Sequence, residues 1–326
     1  MIYLREKVVR KFIQILLPFI DVLLFLPILA SSFVMKIFRR LGAGRLPKSK
    51  FALLLMGVYP IRDHYYEPLF HPRHLKHSLD QVRDLPGINL NDEVQLEILE
   101  KINYSTEICH IWDTPALPPK FYIHNRSFES GDAEYWYGVI RHFKPTIIIE
   151  IGSGQSTIIA RQAIERNKSE NSDYSCRHIC IEPYEATWLE SIGVEVMRMR
   201  VEDVDPGFFN SLSRNDLLFI DSSHVIRPQG DVIVEFLQIL PRLASGVVVH
   251  VHDIYTPRDY PNYFIKENIF FWNEQYLLEA FLTQNDKWEV ISALNYLHHN
   301  HGLKLRKACP YLEDSREPGS FYIRRL

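Results

Sequence analysis

The sequence feature that most constrains the fold is the stretch TIIIEIGSGQST at residues 146–157. An apolar run leads into Glu150 and then into a turn that holds Gly152 and Gly154, and a segment compatible with a helix follows. Glycines at such a turn let the backbone approach a ligand, and the first turn of the helix offers free N–H donors. The stretch therefore predicts a buried strand whose carboxyl end faces a nucleotide-like ligand.

From residue 130 to the C-terminus, apolar strand-like runs alternate with helical stretches. This alternation predicts an α/β fold in which helices cover both faces of a parallel sheet. We expect a helix at residues 131–143, which ends before Pro145, and an antiparallel unit formed by the last two strands. Seven strands are predicted, at residues 146–151, 178–182, 194–199, 216–221, 246–253, 288–294 and 320–325.

Three regions are expected along the 326 residues: an apolar N-terminal segment with a linker at 1–50, an accessory region at 51–129, and the α/β domain at 130–326. In the accessory region, NDEVQLEILEKI predicts a helix that Asn91 caps. The formal net charge of −3 provides no global basic field, which argues against nucleic acid as a partner. We interpret the four scattered cysteines as reduced thiols of a cytosolic protein: Cys109, Cys176, Cys180 and Cys309.

The N-terminal run from Phe12 to Met35 is almost wholly apolar and long enough to cross a bilayer. Asp21, Pro18 and Pro27 within it leave a kinked, re-entrant or interfacial helix as an alternative to a simple span. A signal peptide and a soluble packed helix are further alternatives. Basic residues flank both ends and weakly favour a cytoplasmic C-terminal side: Arg5, Lys7, Arg10 and Lys11 before the run, and Lys36, Arg39, Arg40, Arg45, Lys48 and Lys50 after it.

The acids near the glycine turn indicate the type of ligand. Thr157 stands where a dinucleotide-binding turn has its third glycine, and Glu150 is placed to pair with a cation rather than a pyrophosphate. Glu182, at the end of the next strand, is placed to accept both hydroxyls of a ribose. A ligand with a ribose and an ammonium group but no phosphate fits these acids, and S-adenosylmethionine is such a ligand.

The chain resembles the class I methyltransferases, and within them the bacterial group of cephalosporin-cluster and macrolide-sugar O-methyltransferases, in the stretches EIGSGQST, CIEP, LLFIDSSH, HVHDI with the following DYP, and WNEQYLL. The resemblance covers residues 130–326 well and part of the accessory region more loosely. It implies a Rossmann-like sheet of seven strands with the last antiparallel, and S-adenosylmethionine as cofactor. The residues that it assigns to the cofactor are Glu150, Gly152 and Gly154 for the methionine part, Glu182 for the ribose, and Glu202 or Asp203 for the adenine.

Two neighbouring predicted strands end in acids, Asp221 and Asp253, whose carboxylates can converge on a hard cation such as magnesium. Metal-dependent relatives often carry a second acid immediately before the later one, where this chain has His252. Because histidine is a softer ligand than a carboxylate, manganese, iron, another transition metal or no metal at all also stay open. As structural alternatives, both acids can cap helices or loops.

His224 is the candidate general base, because it lies three residues after Asp221 and follows the Asp-x-x-His pattern of the sugar O-methyltransferases that the chain resembles. The alternative is that it caps a loop. A cluster at His298, His299 and His301 is expected in a solvated loop. The aromatic segments 259–264 and 270–276 fit an apolar lid over an acceptor and core packing equally well.

These features predict a membrane-tethered O-methyltransferase with its catalytic domain in the cytoplasm, acting on a hydroxyl of a sugar, glycolipid or other secondary metabolite. One alternative is a membrane-bound scaffold that keeps the fold without catalysis. The other is a nicotinamide-dependent oxidoreductase, which Thr157 and the absence of a Tyr-x-x-x-Lys pair in the catalytic half disfavour.

Overall fold

The structure is a computed structural model that describes the backbone of residues 2–326 and the side chains from Ile13 onward. The chain forms two compact units, and the boundary between them along the sequence lies between Lys76 and His77. This boundary falls inside the accessory region that we predicted at 51–129. Residues 51–76 belong to the first unit, and residues 77–129 share the second unit with the sheet.

The first unit begins with helix α1, which runs from Ile2 to Leu41 through Pro18 and Pro27. Its segment Ile13–Leu41 has a mean hydropathy of 2.3 in its most apolar part, and none of that part is buried. By length and composition alone, the segment can cross a membrane. The side chain of Phe12, where the predicted run begins, lies outside the described residues. A short helix α2 (Pro47–Leu55) and 3-10 turns at Ala43–Arg45 and Pro72–His74 follow.

The second unit is built on a seven-stranded sheet with the order β3-β2-β1-β4-β5-β7-β6. The first five strands in this order are parallel, and β7 is antiparallel to both of its neighbours. The predicted α/β fold with an antiparallel last strand is confirmed, and each predicted strand end is correct to within two residues. The strands are β1 (Ile147–Ile151), β2 (Arg177–Ile181), β3 (Glu195–Met197), β4 (Leu217–Ile220), β5 (Val248–Val251), β6 (Trp288–Ala293) and β7 (Phe321–Arg325).

Helices cover both faces of this sheet, because alternate strand residues are apolar on each side. On β1, Ile148 packs into one core cluster, and Ile149 and Ile151 pack into the other. The helices of the second unit are α3 (Asp92–Lys101), α4 (Ser105–Ile108), α5 (Asp132–Phe143), α6 (Gln155–Glu170), α7 (Asp231–Val234), α8 (Glu274–Leu282) and α9 (Leu294–Ala308).

The predicted helix after Asn91 is present as α3, with Ile98 and Leu99 in the core. Its predicted cap differs, because Asn91 makes no side-chain bond to the helix start and donates instead to the carbonyl oxygen of Val290 at 3.3 Å.

The predicted solvated loop at His298, His299 and His301 is wrong, since these residues lie on α9. His298 is buried, His299 lies 2.9 Å from a carboxylate oxygen of Glu317, and His301 lies 2.7 Å from one of Asp92. Two of the three histidines thus pair with carboxylates, and α9 is kinked at His301, where φ is −134° and ψ is 32°.

Candidate active site

The glycine turn connects the carboxyl ends of three strands. Gly152 has φ +77°, and its N–H donates to the carbonyl oxygen of Ile181 at the end of β2 over 3.1 Å. A Cβ added to Gly152 would lie 1.9 Å from the carbonyl oxygen of Asp221, just after β4. Only glycine fits this close approach. Above Gly154, by contrast, an added Cβ would meet no atom of the described chain within 4 Å, so this part of the turn is open.

Glu150 is fully buried beneath the turn. One carboxylate oxygen lies 3.0 Å from Nε2 of His178 on β2, and the other accepts from the hydroxyl of Thr157 at 2.5 Å. The same Thr157 hydroxyl accepts from the N–H of Gly154 at 3.0 Å. Glu150 therefore holds the turn in shape from below. The direct contact with the methionine part that the resemblance implied does not fit this burial.

Glu182 lies just beyond β2 and is held by the backbone around it. Oε1 accepts from the N–H groups of Tyr184 and Glu185, both at 2.9 Å, and Oε2 lies 3.3 Å from the N–H of Ser153. Three amide contacts fix the carboxylate before any ligand arrives. Its placement fits the ribose-binding role that we predicted.

Two cavities of about 250 and 360 Å³ meet at Glu182, and Gly152, Glu185 and Asp221 line both of them. The smaller cavity extends toward β3, where Ile181 and Val201 provide apolar walls, and the larger one covers the glycine turn. Together they are of the size of small-molecule sites in proteins.

The structure separates the two residues predicted for the adenine. Glu202 lines the smaller cavity, and 14% of its side chain is exposed. Asp203 is 62% exposed and lies outside the residues that line that cavity. Glu202 alone is therefore placed to contact a ligand there.

The acids at the ends of β4 and β5 converge as predicted. Asp221, His252 and Asp253 each offer one donor atom, and the three atoms lie within 4.8 Å of one another. Nδ1 of His252 lies 3.5 Å from Oδ1 of Asp221 and 3.7 Å from Oδ2 of Asp253. Asp221 also lines both cavities, so the cluster borders the place where a cofactor would bind.

His252 is buried, and among the described side chains neither of its ring nitrogens has a hydrogen-bond partner. Burial lowers its pKa, but the carboxylates of Asp253 and Asp221 outweigh this and raise the pKa well above its ordinary value. Asp132, also buried, lies 3.9 Å from Nε2 on the far side of the ring, and Nδ1 faces Asp221 and Asp253. An imidazole nitrogen together with two carboxylates is a donor set that fits a divalent transition metal. The three residues thus pass the chemical test for a metal site.

His224 lies beside this cluster with φ +59°, in the left-handed region that Asp253 also occupies at +56°. Such backbone is costly for residues other than glycine and is concentrated at functional sites. Nδ1 of His224 lies 2.8 Å from Oε2 of Glu274, and Nε2 lies 3.3 Å from Oδ1 of Asp221 and 3.7 Å from Oδ2 of Asp253. Burial lowers its pKa, but hydrogen bonds with Asp221 and Glu274 raise the pKa above its ordinary value.

Three partly exposed aromatic side chains, Phe264, Phe270 and Trp272, form what we call the aromatic wall. The Trp272 ring lies 4.4 Å from the imidazole of His224, and the rings of Phe264 and Phe270 lie 4.6 and 5.0 Å from Trp272. Tyr260 from the same segments is fully buried. The segments therefore pack in the core, as one prediction had it, and also present an apolar surface next to His224; the lid over an acceptor stays a prediction.

Several residues of the site were missed from the sequence. Glu274, which contacts His224 from 50 positions further along the chain, lies in the segment 270–276, which we had interpreted from its aromatic residues alone. Tyr255 donates its hydroxyl to Oδ1 of Asp253 at 3.0 Å. His178 packs under the turn through Glu150. Only the strand periodicity, which puts Glu150 on the same face as Ile148, could have indicated that Glu150 is buried.

Residues 149–254 match the family model of a methyltransferase domain. This match covers about a third of the chain, and over these residues the chain is similar to a methyltransferase domain. The matched segment begins one residue before Glu150 and ends one residue after Asp253, so it includes the glycine turn, Glu182, His224 and the acids at the ends of β4 and β5. The match supports, over these residues, the methyltransferase resemblance on which the sequence analysis relied.

The chain is also similar to two further proteins. An uncharacterized protein of Archaeoglobus fulgidus is 29% identical over 165 residues, which are 47% of this chain and 73% of that protein. The crystal structure of an O-methyltransferase from Bacillus cereus in complex with SAH covers 72% of this chain and 91% of its own, with 13% sequence identity and a TM-score of 0.36. Likeness at this level does not transfer site residues.

Proposed function

We propose that this methyltransferase transfers the methyl group of S-adenosylmethionine to a hydroxyl oxygen, with His224 as the general base. The observation that carries the proposal is the position of Nε2 of His224. It lies 3.3 Å from Asp221, and Asp221 lines both cavities above the glycine turn. An imidazole nitrogen thus lies at the edge of the place predicted for the cofactor.

The charge around the cavities supports a cationic cofactor. Glu182, Glu185 and Asp221 line both cavities, and they are the charged residues that line the larger one. Glu202 and Asp231 line the smaller cavity together with Arg200 and Arg227, each of which lies 3.6 Å from one of these two acids. Such walls attract a sulfonium group and repel the pyrophosphate of a nicotinamide dinucleotide. In this proposal the methionine part lies over Gly154, the ribose hydroxyls bind Glu182, and the adenine enters the cavity beside Glu202.

The proposed reaction is an in-line displacement. The hydroxyl oxygen of the acceptor bonds to the methyl carbon, the bond between that carbon and sulfur breaks with its electron pair on sulfur, and the hydroxyl proton passes to Nε2 of His224. Glu274 accepts from the N–H at Nδ1. Nε2 faces the carboxylate of Asp221 at 3.3 Å, so it takes up the hydroxyl proton from the neutral form of the imidazole, when Asp221 is engaged by the cofactor, the acceptor or a cation. The site thereby presents the basic nitrogen toward the acceptor and keeps the other one bound.

Asp221, His252 and Asp253 are the residues that would hold a divalent cation. When bound, magnesium or manganese supplies positive charge that lowers the pKa of a coordinated hydroxyl. The nitrogen donor of His252 favours manganese over magnesium. Within this set, Tyr255 fixes the carboxylate of Asp253 through its hydroxyl.

We infer an acceptor that combines a hydroxyl with an apolar face, such as a sugar, a glycolipid or another secondary metabolite near a membrane. The aromatic wall beside His224 supports the apolar face, because aromatic rings pack on the C–H faces of such molecules. The apolar helix α1 supports the membrane, and the basic residues after it favour the cytoplasmic side for the domain.

The test uses the full chain in lipid nanodiscs. Titration calorimetry with S-adenosylhomocysteine, with and without manganese or magnesium, should give affinity on the order of micromolar, and mass spectrometry of a panel of hydroxyl acceptors should then detect a gain of one methyl group. His224→Gln should abolish transfer but keep cofactor binding, whereas Asp203→Asn, on the surface nearby, should change neither. If the folded chain showed no binding of S-adenosylhomocysteine in the calorimeter, the proposal would be wrong.

A further inference from the structure

Helix α2 leaves an apolar surface uncovered. Phe51, Leu54 and Leu55 lie at the i, i+3, i+4 spacing that puts side chains on one helix face, and Met56 and Val58 continue the surface beyond the helix end. These five side chains, the α2 surface, are 56–76% exposed. An exposed cluster of this size marks a contact with another apolar body.

The charges around the α2 surface indicate what that body is. Lys48 and Lys50 lie on the same helix, and both are exposed. Between Asp21 and Asp63 the sequence has no acidic residue and seven basic ones: Lys36, Arg39, Arg40, Arg45, Lys48, Lys50 and Arg62. Apolar side chains with a basic border on a short helix are typical of helices that lie in the boundary between lipid headgroups and acyl chains.

The position of α2 along the chain leads to the same partner. Five residues, 42–46, separate the end of α1 from Pro47, so the start of α2 lies within about 22 Å of the last residue of α1. One face of the last turn of α1 is covered by protein, while Ile37 and Leu41 stay 44% and 52% exposed. Phe38 is 5% exposed, and Arg39 contacts a carboxylate oxygen of Glu67 at 2.8 Å. The apolar part of α1 available to lipid thus ends just before the segment that carries α2.

We propose that the α2 surface is a second membrane contact, which lies in the headgroup region of an anionic leaflet at the C-terminal end of α1. This inference rests on the membrane anchoring by α1 in the proposed function. The contact proposed for α2 is distinct from that anchoring, because it assigns residues 47–58 to a lipid partner and predicts that anionic lipid strengthens their contact. Two contacts on one leaflet would fix the first unit against the bilayer surface.

The experiment places the photoreactive residue benzoylphenylalanine at one of three positions in the full chain, reconstituted in nanodiscs with or without anionic phosphatidylglycerol. Position 55 reports the α2 surface, and position 53 is its matched control, a partly buried leucine about 160° around the same helix. Position 25 reports α1. Mass spectrometry after irradiation counts lipid adducts. We expect adducts at 25 and 55, several-fold fewer at 53, and an increase at 55 when anionic lipid is present.

The outcomes separate the two claims. Adducts at 25 without adducts at 55, or crosslinks from 55 to a second copy or to another part of the chain, would overturn the assignment of the α2 surface and leave the anchor in place. A chain that gives no lipid adduct at position 25 would overturn the anchoring by α1 and this inference with it.

A charge reversal tests the anionic preference. Lys48→Glu should reduce the adducts at position 55 several-fold in anionic nanodiscs and leave them unchanged in neutral ones. Lys76→Glu, which reverses an exposed lysine outside α2, should have no effect in either. Equal responses to the two substitutions would contradict a specific contact between α2 and anionic headgroups.

Discussion

The two halves of the site differ in how their charged groups are satisfied. In the cofactor half, the carboxylates of Glu150 and Glu182 accept from groups of the chain itself, at 2.5–3.3 Å. In the acid–histidine half, formed by Asp221, His224, His252 and Asp253, the contacts among these residues are 3.3–3.7 Å. The carboxylates of the first half are hydrogen-bonded without a ligand, whereas the second half keeps nitrogen and oxygen atoms that can still bind a ligand or a metal ion.

Because of this difference, we expect the two halves to contribute differently to stability, binding and catalysis. Groups fixed by their own backbone form a rigid surface whose loss costs binding and shape. Buried polar atoms without hydrogen-bond partners destabilise the folded chain unless a ligand or an ion binds them. We therefore expect substitutions in the cofactor half to affect stability and cofactor affinity, and substitutions in the acid–histidine half to affect metal affinity and turnover.

The largest effect should come from Gly152, where the two halves touch. Gly152→Ala would place a methyl group 1.9 Å from the carbonyl oxygen of Asp221, at a backbone φ of +77°. Strain and overpacking together should cost about 3 kcal/mol or more of the free energy of unfolding. Thermal unfolding of the full chain should show a large fall in Tm, together with loss of S-adenosylhomocysteine binding.

Gly154→Ala is the matched control, because its added methyl group meets no atom of the described chain within 4 Å. We expect an unchanged Tm and a weaker cofactor affinity, since the methyl group would occupy part of the larger cavity. Unchanged affinity in this variant would show that the cofactor does not lie over the turn.

Glu182→Ala should lower the affinity for S-adenosylhomocysteine by roughly 100-fold, because two hydrogen bonds from ribose hydroxyls to a charged group are lost. The fold should persist, as the amide groups that Glu182 now binds can be hydrated in the open cavity. Calorimetry gives the affinity, and circular dichroism checks the fold. Equal affinities for the variant and the natural chain would remove the ribose assignment.

Asp253→Asn should weaken manganese binding by roughly 10- to 100-fold and spare the cofactor, because Asp253 belongs only to the acid–histidine half. Removing metal with a chelator from the natural chain should produce the same loss of transfer. If the substitution weakened metal and cofactor binding equally, the division of the site into two halves would be wrong.

The fold was predictable where neighbouring residues determine it. Buried parallel strands appear as short apolar runs, and these placed all seven strands. The extent of the second unit was not predictable, because it depends on contacts between distant residues. Gln95 of α3 accepts from the N–H of Ala293 at 2.7 Å, across 198 positions, and no local pattern shows that bond.

The site was predictable where topology alone brings residues together. Adjacent parallel strands end at one edge of the sheet, so the approach of Asp221 and Asp253 followed from strand order. The burial of Glu150 depends on a partner, His178, that only the register of β1 and β2 brings near. Glu274 is the first residue of α8, and its contact with His224 depends on how that helix packs.

Glu274→Gln should lower kcat by roughly tenfold with little change in KM or cofactor affinity, because Nδ1 of His224 loses its charged acceptor. Glu279→Gln is the control on the same helix. Glu279 is also buried, but it accepts from the hydroxyl of Thr256 at 2.7 Å and pairs with Arg83, away from His224. A similar fall of kcat in both variants would reduce Glu274 to a structural role.

The smallest effect should come from the smaller cavity. Glu202→Gln replaces a carboxylate that lines this cavity, and one hydrogen bond to the amino group of adenine should weaken, for a loss of about threefold to tenfold in S-adenosylhomocysteine affinity. Asp203→Asn, one residue further and 62% exposed, should bind as the natural chain does. The pair distinguishes two adjacent acids that the sequence alone left equal. A loss at Asp203 with none at Glu202 would mean that the adenine lies outside the cavity, and that the cofactor half ends at Glu182.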